Sequence, residues 1–142
     1  GGNVPATIIS NMTGIRCEAL KVSLRDDDSE SESNLWMAED AFGYESEPLA
    51  TAGPLRKNIL IVDDINDTGA TFNWIKEDWP SGCMPMEHDR WNAVWGSNVR
   101  FATLTDNGAS NAEVPVSYTC HEINKAEEDV WLVYPWENVA EY

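Results

Sequence analysis

The feature that most constrains this chain is an unbroken apolar run followed at once by two carboxylates. Residues 59–62 are Ile, Leu, Ile and Val. Such a run of mostly β-branched residues is typical of a strand buried on both faces of a parallel sheet. Asp63 and Asp64 come next, at the strand end where open α/β sheets bind their ligands. The pattern predicts an α/β fold with a ligand site at this edge.

A turn of small residues continues the motif. Residues 67–71 read Asp-Thr-Gly-Ala-Thr and precede a helical pattern. The hydroxyls of Thr68 and Thr71, with the backbone N–H groups left free at a helix start, favour an anion such as phosphate. Gly69 permits a close approach of the backbone to that ligand.

The two aspartates favour a different chemistry from the turn. Asp63 and Asp64 repel each other, and their burial together is tolerable only if they face hydroxyl groups or a divalent cation. One end of the motif therefore suits a polyol or a metal, and the other end suits a phosphate. A ribose 5-phosphate carries both groups a short distance apart.

The stretch resembles the 5-phosphoribosyl-1-diphosphate (PRPP) signature of the type I phosphoribosyltransferases. That signature is a hydrophobic strand, two acidic residues, two spacers and Asp-Thr-Gly-x-Thr, and residues 59–71 fill every position. The resemblance implies one domain over residues 1–142, with a mostly parallel twisted sheet flanked by helices and a small hood. The alternative is a βα-turn that is acidic by chance, which so many specified positions disfavour.

The resemblance also implies roles for individual residues. Asp63 and Asp64 would bind the ribose hydroxyls and Mg²⁺, with Asp64 as the metal ligand, and Asp67 would be the catalytic group that accepts the proton of the base. The implied PRPP-binding residues are Gly2, Asp63, Asp64, Asp67, Thr68, Gly69, Ala70 and Thr71.

The beginning of the chain extends the resemblance. Gly2 and the Pro5-Ala6 pair are similar to an Arg-Gly-Gly-x-x-Pro-Ala stretch of purine phosphoribosyltransferases, whose loop binds diphosphate. The family's preceding Arg, first strand and amino-terminal helix have no counterpart, so we expect this chain to be a piece that lacks them. A helix is predicted from Pro5, with Gly14 as its stop.

The last segment is similar to a stretch of the xanthine and hypoxanthine–guanine phosphoribosyltransferases, which ends in Pro-Trp and an acid. There the first aromatic residue stacks on the purine, which implies that role for Trp131, with core packing as the alternative. Leu132 or Val133 would offer backbone groups to the base. The purine enzymes also carry a lysine after the strand equivalent to residues 99–105; this chain has none there, and Asn107 is the substitute donor.

The rest of the chain carries weaker patterns. Lys21 and Arg25 mark either a solvated strand end or a diphosphate contact. Residues 26–34 are rich in acids and serine and predict a mobile loop. The remaining predictions are strands at 19–24, 99–105, 116–119 and 129–137, a hairpin of 35–37 with 42–44, a helix over 72–79 stopped by Pro80, a loop with a short helix over 81–98, and a turn at 106–108.

Composition excludes several classes of protein. Nine basic and 25 acidic residues give a formal net charge of −16, which disfavours nucleic acid and anionic membranes as partners. No apolar run approaches the roughly 20 residues of a membrane-spanning helix. Three cysteines without regular spacing indicate a reducing cytoplasm, and their spacing to histidine matches no standard zinc site.

The resemblance implies an enzyme of nucleotide salvage. It would transfer ribose 5-phosphate from PRPP to a purine base (xanthine, guanine or hypoxanthine), release diphosphate, use Mg²⁺ and form a homodimer or homotetramer. Two alternatives stay open. One is a regulatory PRPP sensor that binds RNA or DNA, which the net charge of −16 disfavours; the other is a catalytically silent module.

Overall fold

The computed structural model describes residues 1–22, 24, 32, 34–44, 55–83 and 88–137. Arg25 and most of the predicted loop at 26–34 therefore lie outside the described residues. In chain order the elements are α1 (Asn3–Thr13), α2 (Leu35–Phe42), β1 (Ile59–Asn66), α3 (Ala70–Gly82), α4 (His88–Ser97), β2 (Val99–Asn107) and β3 (Val116–Ile123).

The three strands form one parallel sheet in the order β1-β2-β3. Ile61 pairs with Phe101 and Asp63 with Thr103 across the first two strands. Because all strands run the same way, their carboxyl ends meet at one edge of the sheet. The prediction of an α/β fold with a parallel sheet flanked by helices is confirmed.

Helices cover both faces of the sheet because successive side chains of a strand point to opposite sides. On one face, Phe101 of β2 lies 4.8 Å from Phe72 of α3 and 6.2 Å from Trp95 of α4, measured between ring centroids. On the other face, α1 packs beside β1, where Pro5 is buried. The most completely buried large side chains are Trp79, Trp91, Phe72, Phe101, Ile75, Val94 and Val99.

Helix α1 ends as the sequence predicts. Gly14 adopts φ 72°, and its N–H donates to the carbonyl oxygen of Ser10, so it acts as a left-handed cap.

The predicted stop of the next long helix at Pro80 is wrong. Helix α3 continues through Pro80 to Gly82. Proline forfeits only one backbone hydrogen bond near the end of a helix. Trp79 and Pro80 are both buried, and the Trp79 ring lies 5.4 Å from that of Trp95. Packing of this last turn against α4 offsets the lost bond.

Two predictions in the first half of the chain are also wrong. The hairpin of 35–37 with 42–44 is the single helix α2, which buries Met37, Ala38, Ala41 and Phe42 on one side at helical spacing. Tyr44 instead forms an isolated antiparallel bridge with Leu55. The strand at 19–24 is absent from its described residues, where Leu20 and Val22 pack against the core without pairing.

In the second half of the chain, the structure differs from the prediction mainly in the lengths of the strands. Strand β2 extends to Asn107 and β3 to Ile123, so Asp106 and Asn107 belong to the strand and not to the predicted turn. The short helix predicted within 81–98 is confirmed as α4. The strand predicted at 129–137 is wrong, because residues 129–134 form no ladder and 135–137 form a turn. Across the described ranges, no helix is both long and apolar enough to cross a membrane.

Candidate functional site

The candidate site is the sheet edge where β1 and β2 end and where α1 and α3 begin. Asp63 and Asp64 are adjacent residues of β1 at this edge, and their carboxyl groups lie close enough for the charge of Asp64 to act on Asp63. The main-chain N–H of Asp64 donates to Asp63 Oδ1 at 3.0 Å, and the N–H of Ile65 donates to Asp64 Oδ1 at 2.9 Å. Each carboxylate is thus fixed by a local backbone donor.

The environment of Asp63 disfavours its charged form. Burial, followed by the negative charge of Asp64, raises the pKa of Asp63 to about 6, against the hydrogen bond from the Asp64 N–H, which acts in the opposite direction. A carboxyl group in this state gains from a nearby cation or hydroxyl donor.

The two initial glycines pack directly on this pair of aspartates. A Cβ atom on Gly2 would lie 2.1 Å from the carbonyl oxygen of Val62, and one on Gly1 would lie 2.2 Å from Asp64 Oδ1. A side chain at Gly2 would clash with backbone atoms, and one at Gly1 would have to displace the Asp64 carboxylate. Gly2 is also the N-cap of α1 and makes no side-chain capping bond. The structure therefore places Gly2 beside the aspartates, while its contact with PRPP stays a prediction.

The turn at residues 67–71 leads into α3, and its position 69 requires glycine. Gly69 adopts φ 89°, and a Cβ atom there would lie 2.4 Å from the main-chain nitrogen of Ala112. Thr68 Oγ1 accepts a hydrogen bond from the N–H of Ala70 at 3.3 Å. Helix α3 has no side-chain cap, and Thr68 and Ala70 are exposed.

The loop that follows β2 is hydrogen-bonded to this turn and to the first part of α3. The N–H of Asn111 donates to the carbonyl oxygen of Thr68 at 3.1 Å. Asn73 Nδ2 donates to the carbonyl oxygen of Asn111 at 2.9 Å, and Asn73 Oδ1 accepts from the N–H of Glu113 at 2.7 Å. These bonds hold the turn rigid while leaving its outer side to solvent.

Asp67 is held by two donors from neighbouring strand ends. Lys125 Nζ lies 2.9 Å from Asp67 Oδ2. Asn107 Nδ2 donates to the Asp67 carbonyl oxygen at 2.9 Å and lies 3.3 Å from its Oδ1. Asn107 is buried, and its own Oδ1 accepts the N–H groups of Ala109 and Lys125. The proposed contact of Asn107 with a base stays a prediction, since its amide already fixes the Asp67 turn.

Lys125 is the residue that the sequence analysis missed. The sequence predicts a strand that ends at 119, several residues before Lys125. The strand in fact reaches Ile123, so Lys125 follows its end by two residues and joins the same edge as Asp67. Its ammonium also lies 5.6 Å above the ring of Trp131.

Trp131 is exposed over 65% of its surface, so the core-packing alternative for this residue is wrong. Leu132 is half-buried. Their contacts with a base stay predictions.

Tyr134 is a second residue that the sequence did not reveal. Its hydroxyl donates to the main-chain carbonyl oxygen of Asp64 at 3.1 Å and lies 2.9 Å from Thr105 Oγ1. Burial raises the pKa of the Tyr134 hydroxyl, while its hydrogen bond with Thr105 acts in the opposite direction. The ring stacks on Trp136 with centroids 5.1 Å apart. Tyr134 therefore anchors the last segment across the ends of β1 and β2.

No family model matches this chain, and no solved structure matches it either. Among the described residues, no group of three or more His, Cys, Asp or Glu side chains is placed to hold a metal ion. The site is thus defined by its geometry: two aspartates, a turn at a helix start, and a Lys–Asp pair beside an exposed indole.

Proposed function

We propose that this chain is a type I phosphoribosyltransferase that transfers ribose 5-phosphate from PRPP to N9 of a 6-oxopurine and releases diphosphate. The observation that carries the proposal is the turn at 67–71. It joins the end of β1 to the start of α3, directly after Asp63 and Asp64, and it needs glycine at position 69. The local order of strand, acids and turn is the one that the family signature requires.

The 5-phosphate would bind at the turn. A helix start concentrates unpaired N–H groups and the positive end of the helix dipole. Thr68 and Thr71 add hydroxyl donors, and the hydrogen bond from the Asn111 N–H to the Thr68 carbonyl oxygen keeps the turn in position. A rigid turn matters because the protein carries a net charge of −16 and cannot attract an anion from a distance.

The residues present fit a magnesium ion. Mg²⁺ is usually held by one or two carboxylates together with water and substrate phosphates, so a site with two aspartates suffices. Burial and the charge of Asp64 raise the pKa of Asp63, so a cation beside the pair would stabilise its charged form. Magnesium, when bound with PRPP, neutralises charge that develops on the diphosphate leaving group. Asp64, which adjoins the start of α1, is the proposed ligand.

Asp67 and Trp131 would act on the base. Asp67 would accept the proton that the base loses, and the donors Lys125 and Asn107 keep its carboxylate at the edge of the site. Trp131 would stack on the purine, a contact worth on the order of 1–3 kcal/mol. The reaction centre at the sugar becomes cation-like, so the carboxylates of Asp63 and Asp64 would stabilise it electrostatically.

Calorimetric titration with PRPP and MgCl₂ tests the proposal. The chain should bind PRPP only when Mg²⁺ is present, and the variants Asp63→Asn and Asp64→Asn should each lose binding. Asp89→Asn is the matched control, because it removes one charge from the exposed first turn of α4 and should bind PRPP normally. Magnesium-independent binding, or equal losses in all three variants, would contradict the assignment of the aspartates. A purine panel with the wild-type protein then measures transfer.

A catalytically silent PRPP-binding module is the second candidate. It is favoured by the engagement of Asp67 with the Lys125 ammonium, which competes with a proton for the same carboxylate. PRPP binding without transfer to any purine would support this alternative over the enzyme.

A further inference from the structure

Helix α1 carries an apolar stripe that the sheet covers at one end. The stripe consists of residues at the spacing of a single helical face, namely Pro5, Ile8, Ile9 and Met12. Pro5 is buried against the sheet, whereas Ile8 is 52% and Met12 is 82% exposed. An amphipathic helix normally turns such a stripe towards apolar atoms, so the outer part of α1 favours a partner.

A groove on the sheet runs beside this stripe. Its volume is about 350 Å³, and Ile9 forms part of its wall. The other side of the groove is formed by residues of the three strands, which include Leu60, Ala102 and Tyr118. Leu60 is 43% and Tyr118 is 62% exposed. We call the stripe and the groove together the α1 face, because they form one apolar surface.

The α1 face differs in charge from the rest of the chain. No residue of α1 is charged at neutral pH, nor is any described residue that lines the groove, although the chain has a formal net charge of −16. A basic partner would gain more from the acidic surface elsewhere than from this one. Two copies of the chain repel each other, so they associate most easily where neither brings a charge to the contact.

The shape of the α1 face suits a contact with itself. In a two-fold symmetric dimer both copies use the same surface, which must therefore be complementary to itself. Here the exposed stripe is a ridge, and the groove beside it is a depression of the same apolar character. A rotation of half a turn brings the ridge of each copy to the groove of the other, so that Met12 of one copy lies near Tyr118 of the second.

We propose that the α1 face docks a second copy of this chain and forms a two-fold symmetric dimer held by apolar contacts. The dimer is independent of the proposed transfer reaction, because the α1 face contains none of the residues assigned to PRPP, to Mg²⁺ or to the base. Dimerisation and PRPP binding can therefore fail separately.

Sedimentation velocity of the full chain over a wide range of protein concentration tests the dimer. The wild type is compared with Met12→Lys on the ridge, Tyr118→Lys in the groove and the control Leu55→Lys. Leu55 is 68% exposed and lies outside the α1 face, so its substitution adds the same charge elsewhere. All three side chains are exposed, so the variants should fold, and thermal melting verifies this.

We expect a monomer–dimer equilibrium in the wild type and in Leu55→Lys. Met12→Lys and Tyr118→Lys should each raise the dissociation constant roughly 30-fold or more. Because both copies are strongly acidic, added NaCl should screen their repulsion and tighten the wild-type dimer, whereas it would weaken a dimer held by ion pairs. A monomer at every concentration, a dimer that survives either substitution, or a dimer that NaCl dissociates would overturn the proposal.

Binding of the apolar dye ANS identifies what covers the α1 face if the wild type is monomeric. A monomer that does not bind the dye would mean that another segment of the same chain covers the face. A monomer that binds the dye, with binding lost in Met12→Lys, would mean that the face is open to a different partner. Either result overturns the dimer.

Discussion

The hydroxyl of Tyr134 donates a hydrogen bond of 3.1 Å to the main-chain carbonyl oxygen of Asp64. The two residues are 70 positions apart in the chain, and Thr105 of β2 lies within 2.9 Å of the same hydroxyl. One side chain therefore ties the last described segment to the ends of two adjacent strands, next to the pair of aspartates.

Removing this hydroxyl should loosen the sheet edge. Tyr134→Phe keeps the ring and its stacking on Trp136 but leaves the buried Asp64 carbonyl without its donor. We expect a loss of about 1–2 kcal/mol in the free energy of unfolding, measured by urea denaturation, with weaker PRPP binding. Tyr118→Phe is the control, because Tyr118 is 62% exposed on β3, and its loss should be near zero. Equal effects of the two variants would rule out the anchoring role.

Alanine substitutions at three glycines should distinguish the cost of backbone strain from the cost of a steric clash. Gly69→Ala combines φ 89° with a Cβ atom 2.4 Å from Ala112, so we expect a cost of about 2–4 kcal/mol. Gly14 has φ 72°, but an added Cβ atom there would meet no neighbour. Gly14→Ala should therefore lower the free energy of unfolding by about 1 kcal/mol. Gly96→Ala lies within α4 without near neighbours and should stabilise by up to about 1 kcal/mol.

Chemical denaturation gives the order of the three free energies of unfolding, and PRPP calorimetry should show a loss of affinity for Gly69→Ala alone. A Gly69→Ala protein as stable as Gly14→Ala would mean that the loop at Ala112 yields to the methyl group.

The raised pKa of Asp63 predicts a pH-dependent stability. Well below the ordinary pKa of 3.8, this carboxyl group is protonated in both the folded and the unfolded chain. As pH rises from the ordinary value of 3.8 to about 6, the unfolded chain releases the proton first, so stability falls; above pH 6 the loss is complete. Asp63→Asn removes the ionisable group, so the variant should gain on the order of 2–3 kcal/mol over the wild type between pH 4 and pH 7.

Urea denaturation of both proteins across this pH range measures that difference, and Asp89→Asn supplies the comparison for an exposed acid. If the difference in free energy of unfolding between the wild type and Asp63→Asn stays constant from pH 4 to pH 7, the raised pKa is contradicted.

Substitutions of Asp67 and Thr71 should change turnover and PRPP binding to different extents. Asp67→Asn removes the proposed proton acceptor, so we expect turnover to fall by a factor of about 100 or more while the PRPP dissociation constant changes by less than about 3-fold. Thr71→Val removes a hydroxyl from the proposed phosphate-binding turn and should weaken PRPP binding more than it lowers turnover. Steady-state kinetics and calorimetry measure the two quantities, and parallel losses in Asp67→Asn would refute its role as base.

Local patterns in the sequence were sufficient for the central motif. The apolar run at 59–62 predicted a buried strand, and Gly69 with its neighbouring threonines predicted a tight turn before a helix, as the structure has them. The stop at Gly14 followed in the same way. Each depends on the conformational preferences of residues within a few positions of one another, which a single sequence displays directly.

Other elements depend on partners that lie far away in the chain. Helix α3 continues past Pro80 because Trp79 packs against Trp95, and the apolar residues at 35–42 form a helix because α3 and α4 cover one side of it. The hydrophobic pattern of so short a segment suits a strand or a helix. Burial against the neighbouring helices decides between them.

The sequence by itself determined the strand, the two aspartates and the tight glycine turn before α3, since these residues are adjacent and their conformational preferences are local. Only the tertiary structure brought Lys125 to Asp67 across 58 positions and Tyr134 to Asp64 across 70. Parallel pairing causes this, because it gathers the ends of strands distant in sequence at one edge. The spacing of the residues along the chain does not indicate which strand ends become neighbours.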